Sequence, residues 1–238
     1  QGVSSAASDV YKRQEYLNDP FDNSEAYLRR EDFLPMTDED EDAPKLIVVG
    51  CDFAVSKADR ANRSSFTVGG KCQRNLLHIL DEHVGRWDTL EWIEVMFQIQ
   101  AQWNPDVFFV EDGVIWKSIS PTLYKEMQVR DRWINCHPIN PTRDKATRGR
   151  PFQKRMRAHG MRFNKSAPWY PAYEAELLRF TGMSDAVLDD QFDSTAIMAK
   201  GIEHMAEVDE EDFYDEDEWD ILAHDPRKTI GRSAVTGY

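Results

Sequence analysis

The eight residues KLIVVGCD (45–52) constrain this chain more than any other stretch. The apolar run Leu46–Val49 is short and β-branched, so it reads as a buried strand, and it is tipped by a carboxylate, Asp52. SSFTVGGKC (64–72) and NLLHILDEHV (75–84) read as the next two strands, joined by short turns carrying Gly69-Gly70. DTLEWIEVMFQIQAQW (88–103) opens on an Asp N-cap and places Leu90, Ile93, Phe97 and Ala101 at helical spacing. A fourth strand, Val107–Val110, ends in Glu111 and Asp112. Pro121 at a first helical position predicts a helix over 120–130, followed by a fifth strand, WINCHPI (133–139). The basic stretch after it looks helical, as do PAYEAELLRF (171–180) and the closing DDQFDSTAIMAKGIEHM (189–205). Three strands, then helix, strand, helix, strand and further helices predict an α/β fold with a mixed sheet flanked by helices.

The acids in this layout stand at special places. If the first and fourth strands are neighbours, Asp52 and Glu111 project from one sheet edge. Asp190 and Asp193 are three apart, on one side of the first turn of the last helix, together with Ile197, which belongs in the core. A carboxylate on the buried side of a helix is costly unless it meets a cation, and four together repel one another and raise their pKa values. A pair of Mg²⁺ or Mn²⁺ ions relieves this, since such ions take oxygen ligands, and paired divalent ions are a device for phosphodiester hydrolysis. A blander account exists for each acid alone. Asp189, Asp190 and Asp193 suit a helix N-terminus, and a lone acid at a strand end is ordinarily solvated. The combination, in this order along the chain, favours the metal site.

The formal charge of −14 over 238 residues argues against a nucleic-acid partner only on average. Ten acids and no base lie in 207–220, whereas nine Lys or Arg and one acid lie in 143–165. The second block suits phosphate, with Lys145, Arg148, Arg150, Lys154, Arg155 and Arg157 as candidate backbone contacts that read no sequence. Gly149 and Gly160 suggest that part of it moves until DNA arrives. No apolar run is long enough to span a bilayer, and the three scattered cysteines favour a reducing compartment. The histidines have no ligand spacing, and Trp87, Trp92, Trp103, Trp116 and Trp133 are expected to pack in the core.

These motifs resemble the C-terminal nuclease domain of large terminase subunits of tailed bacteriophages, within the ribonuclease H-like superfamily. EYLNDPFD (15–22) and YLRREDFLPM (27–36) are similar to the segment that closes the packaging ATPase of those proteins. LIVVGCDFAVSKADRANRSSFTVGG resembles the first nuclease hairpin, DVFFVED the second acidic strand, and LDDQFDSTAIMAKGI the closing helix. The resemblance covers residues 15 to about 205. It implies catalysis by Asp52, Glu111, Asp190 and Asp193 on two Mg²⁺ or Mn²⁺ ions, with Asp189 as an extra metal ligand. It implies cutting of double-stranded DNA, largely without sequence preference, in the host cytoplasm and away from membranes. Implied partners are an N-terminal packaging ATPase domain, the portal and procapsid, and a small terminase subunit. Lys145 would lie close enough to the metals to touch the scissile phosphate. No Walker A motif is present, so ATP hydrolysis is not expected of these residues. A Holliday-junction resolvase of the same superfamily and a non-catalytic module docking DNA and portal are the alternatives. The expected organisation is an adapter-derived leader (1–14), a linker from the ATPase (15–44), the nuclease domain (45–205) and an acidic flexible tail (206–238).

Overall fold

Lys45–Asp52 (β1) sends Val48 to one apolar layer and Val49 and Cys51 to another, all of them buried. The computed structural model describes residues 26–54, 63–142, 144–182 and 189–205, and in it β1 lies inside a six-stranded mixed sheet. Ser64–Cys72 (β2) pairs antiparallel with β1, and Leu77–Gly85 (β3) antiparallel with β2. Val107–Glu111 (β4) pairs parallel with β1, Cys136–Ile139 (β5) parallel with β4, and Met161–Phe163 (β6) parallel with β3. The resulting order is β5-β4-β1-β2-β3-β6. The expected α/β mixed sheet is therefore present, with one more strand, β6, than the sequence suggests.

The helices are Asp38–Asp42 (α1), Thr89–Trp103 (α2), Val114–Arg130 (α3), Lys145–Arg157 (α4), Tyr170–Arg179 (α5) and 190–205 (α6). Trp92, Met96, Trp116 and Leu123 from α2 and α3 cover one face of the sheet, against Val49, Phe66, Val68 and Phe108. Phe152, Tyr173, Leu177, Phe192 and Ala196 from α4, α5 and α6 cover the other, against Val48, Ile79 and Phe109.

Asp88 caps α2 as expected, accepting from the Leu90 and Glu91 amides, but the buried stripe is rotated. It runs through Trp92, Ile93, Val95, Met96, Phe97 and Ile99, while Leu90 is 62% exposed and Ala101 faces solvent. Trp92 sets the rotation, because its indole N–H reaches Ser64 Oγ at 2.7 Å. The helix expected over 120–130 begins six residues earlier, at Val114, and Pro121 lies inside it. Pro121 and Lys117 are both exposed, so the carbonyl that loses its amide partner can turn to water. Trp133 is 64% exposed and is not a core residue. Gly69-Gly70 is no turn; it sits within β2, beside a bulge between Val68 and Gly69, and the turn into β3 passes through Asn75.

Residues 26–44, expected as linker, pack on the domain. Leu28 and Phe33 are 2% exposed, and Leu34 and Met36 hydrogen-bond Phe163 of β6 at 2.9 and 3.0 Å. Asp40 of α1 takes Arg74 at 2.7 Å and His78 at 3.2 Å. Burial would raise the Asp40 carboxyl, but bonds from Thr37 and His78 outweigh it and lower the pKa to about 2. The leader (1–14) and the acidic tail (206–238) lie outside the described residues.

Candidate metal centre

Parallel pairing of Cys51 with Val110 brings the next residues, Asp52 and Glu111, to the same sheet edge. Antiparallel pairing sets Asp52 opposite Ser65. Helix α6 lies directly on this part of the sheet: a Cβ at Gly50 would stand 2.0 Å from Ser194 O and 2.7 Å from Met198 Cβ. Gly69 repeats the device, since its Cβ would meet Met198 Sδ at 2.5 Å. Two glycines on adjacent strands thus let α6 bring Asp190 and Asp193 near Asp52, and both are buried. The structure therefore gathers Asp52, Glu111, Asp190 and Asp193, with Asp189 just ahead of the helix and its carbonyl accepting from Asp193 N–H at 2.9 Å.

The titration of these acids reflects their crowding. Burial, then Asp193 and Asp190, pushes the Asp52 carboxyl well above its ordinary value, and Arg148 only partly offsets this. Burial raises Asp193 to about 6 against the pull of Arg148 and Lys145. Burial also raises Asp190, against Arg63. Among the described residues, no hydrogen bond or ion pair reaches the Asp52 carboxylate.

Among the described residues, three cations stand among the acids. Arg63 Nε lies 3.0 Å from Asp190 Oδ2, and its Nη2 lies 2.6 Å from Glu176 Oε2. Lys145 Nζ pairs with Asp189 and lies 3.9 Å from Asp193 Oδ2. Arg148 Nη1 lies 3.0 Å from Asp193 Oδ1, and its Nη2 3.9 Å from Glu111 Oε1. Asp193 Oδ1 is nevertheless a buried oxygen with no hydrogen bond, because the guanidinium is not aligned to give one.

Beneath the acids runs a buried polar layer. Glu82 accepts from Ser65 Oγ at 2.5 Å and Thr67 Oγ1 at 2.7 Å, and both hydroxyls meet Ser194 Oγ of α6. Thr195 Oγ1 continues it to Tyr173, 2.8 Å away. Glu176 accepts from the Gln191 backbone at 2.8 Å and from its side chain at 2.6 Å.

Among the described residues, no three His, Cys, Asp or Glu side chains converge as a metal-ion cage. The donor set nonetheless suits a hard divalent ion. All its ligating atoms are carboxylate oxygens, one of them is buried without a hydrogen bond, and among the described residues Asp52 has no ion-pair partner of its own. Arg148 stands between Glu111 and Asp193.

The basic helix α4 is used differently from the expectation. Of the six candidate phosphate contacts, Lys145 and Arg148 face the acids. Arg155 donates to Asn75 O at 2.6 Å, and Arg157 to Ala26 O at 2.8 Å, beside Asp32. Arg150 and Lys154 are exposed, and Arg143 lies outside the described residues. Gly149 marks close packing rather than mobility, since a Cβ there would meet Phe192 at 2.3 Å and the Tyr27 hydroxyl at 2.7 Å. Sequence reasoning missed Arg63, Glu176 and Glu82. The available signals were an arginine immediately before a buried strand and acids within a strand and a helix that also carry core residues.

No protein-family profile and no curated protein sequence matches the chain. Solved structures do. A large terminase from a thermophilic bacteriophage superposes with a TM-score of 0.50 and 11% identity over 76% of this chain and 44% of its own, so the chain spans less than half of that protein. The large terminase nuclease of thermophilic phage G20c with bound magnesium gives 0.48 and 12% over 71% of this chain and 84% of its own. The yeast mitochondrial Holliday junction resolvase gives 0.41 and 12% over 71% and 78%. The chain thus has a ribonuclease H-like fold, similar to that of phage large terminases.

Proposed function

We propose that this chain is a divalent-metal-dependent endonuclease that cuts double-stranded DNA, largely without sequence preference, as the nuclease part of a viral genome-packaging terminase. The observation that carries the reading is the meeting of two strand-tip acids, Asp52 and Glu111, with the helix acids Asp190 and Asp193 at one sheet edge. Asp52, Glu111 and Asp193 would hold Mg²⁺ or Mn²⁺, as two ions, with Asp190 and Asp189 beside them. Bound there, the ions would supply a more acidic water and would stabilise charge on the leaving oxygen. The chain's own contribution is to hold these carboxylates at fixed positions on two strands and one helix. Arg150 and Lys154, exposed on α4, would meet the DNA backbone. On this reading residues 45–205 are the nuclease domain, and an ATPase domain, a small terminase subunit and a portal on a procapsid in the host cytoplasm are its partners.

The test is incubation of supercoiled plasmid with Mn²⁺, Mg²⁺ or EDTA, alongside Asp52→Ala and Glu111→Ala. Metal-dependent nicking and linearisation, lost in both variants, is the expected result. Equal cutting by the variants would remove the site assignment. Bound but uncut DNA in every sample would move the reading to a docking module.

A further inference from the structure

The cation nearest the centre of the acid cluster is Arg148, and its surroundings constrain how it is used. Its Nε and Nη2 donate to Thr142 O at 3.2 and 2.9 Å, which fixes one edge of the guanidinium. The free edge then points Nη1 at Asp193. The turn of α4 that bears it is fixed from behind, because Gly149 packs directly on Phe192 and Tyr27. The side chain is 13% exposed and that of Asp193 9%, so their attraction is only weakly screened by water. On the far side of Asp52 and Glu111 opens a cavity of about 260 Å³, lined by Phe53, Gly113, Val114, Ile115 and Trp116. The acids therefore have an arginine on one flank and an open approach on the other.

Charge and geometry pull Arg148 in opposite directions. Among the described residues six carboxylates, of Asp52, Glu111, Glu176, Asp189, Asp190 and Asp193, face three cations, of Arg63, Lys145 and Arg148. The arginine neutralises charge that would otherwise be unpaired, yet it gives Asp193 Oδ1 no aligned hydrogen bond and reaches Glu111 only at 3.9 Å. A small divalent ion approaching from the cavity would compete for the same two carboxylates and could meet each directly.

Building on the nuclease reading above, we propose that Arg148 is a positioning residue that acts as the site's internal counter-ion. It competes with divalent metal for Asp193 and Glu111. The arginine thus offsets the charge of the acid cluster without metal and weakens metal binding by its presence. A merely structural arginine would have the opposite signature: its removal would disorder the acids and weaken the metal.

The experiment is Mn²⁺ titration of the full chain by calorimetry, with melting temperatures with and without Mn²⁺, for the unsubstituted protein, Arg148→Gln and Asp52→Asn. Arg148→Gln should bind Mn²⁺ about fivefold more tightly, the scale of one partly buried ion pair. Its metal-free melting temperature should fall and its metal-induced rise should grow, as linkage requires. Should Arg148→Gln fail to fold, Arg148→Lys asks the same question. Its shorter point charge cannot span Glu111 and Asp193, so it should also tighten Mn²⁺, though by less. Unchanged or weaker Mn²⁺ binding in the folded arginine variant would overturn the inference and leave the nuclease reading standing. Failure of the unsubstituted chain to bind Mn²⁺, with Asp52→Asn no different, would overturn both.

Discussion

On one face of the sheet, Val49, Phe66, Val68, Phe108 and Val110 meet Trp92, Met96, Trp116, Ile119 and Leu123, with the Trp92–Ser64 bond as a polar bridge. On the other, β2 presents Ser65 and Thr67, and β3 presents Glu82, to Ser194, Thr195 and Tyr173, and the acids follow at the edge. Alternation along β1 and β2 makes both faces possible from one run of residues. The α2–α3 face contributes mainly apolar burial. The α6 face gives up part of that stabilisation to hold polar side chains in one arrangement, and close backbone packing at Gly50 and Gly69 makes up for some of it.

Substitutions can break this comparison. The largest effect is expected from Gly50→Val, whose side chain has no room beneath Ser194 and Met198. Displacing α6 should cost about 3 kcal/mol or more in urea unfolding. On the proposed reading it should also abolish metal-dependent cleavage by separating Asp193 from Asp52. Leu123→Ala on the opposite face, where the side chain is fully buried, should cost a comparable or somewhat smaller amount, about 2–5 kcal/mol. Here cleavage per folded molecule should not change, which a titrated plasmid assay would show. A loss of specific activity would mean that the two faces are not separable.

The smallest effect sharpens the comparison through pH. Burial pushes the Glu82 carboxyl well above its ordinary value, so the folded protein releases that proton at a higher pH than the unfolded chain does. That contribution is complete below the unfolded value and declines as pH rises above it. Glu82→Gln keeps the size and the hydrogen-bonding capacity without the titration. Its stability should therefore fall less between pH 5 and pH 8 in parallel urea titrations. A variant curve parallel to the original would show that Glu82 does not titrate in this window.

Much of the site was legible because two rules act locally. A short β-branched run ending in an acid marks a strand tip, and this placed Asp52 and Glu111; i, i+3 spacing paired Asp190 with Asp193. Reading was weaker where distant packing overrides local preference. Gly69-Gly70 has the composition of a turn, but it lies in a strand because Met198, over a hundred residues on, needs the space. Pro121 marks a helix start by preference and sits mid-helix because its exposed side can release a carbonyl to water. The charge of α4 was plain, yet which of its cations face acids and which face solvent depends on how the helix is rolled. That roll is set by Phe152, Met156 and Gly149 against the core.

The wide spacing of the acids along the chain has a consequence for timing. Asp52, Glu111 and Asp193 come from three elements, and α6 is the last of the described ones in chain order. Contacts between such distant residues form late, since the intervening chain must first be closed into loops. A chain still emerging from the ribosome can pair β1 with β2 and β4, and so bring two acids together, but it has no third until the helix has been made and docked. On the proposed reading, a protein able to cut DNA is harmless to it until synthesis has passed α6.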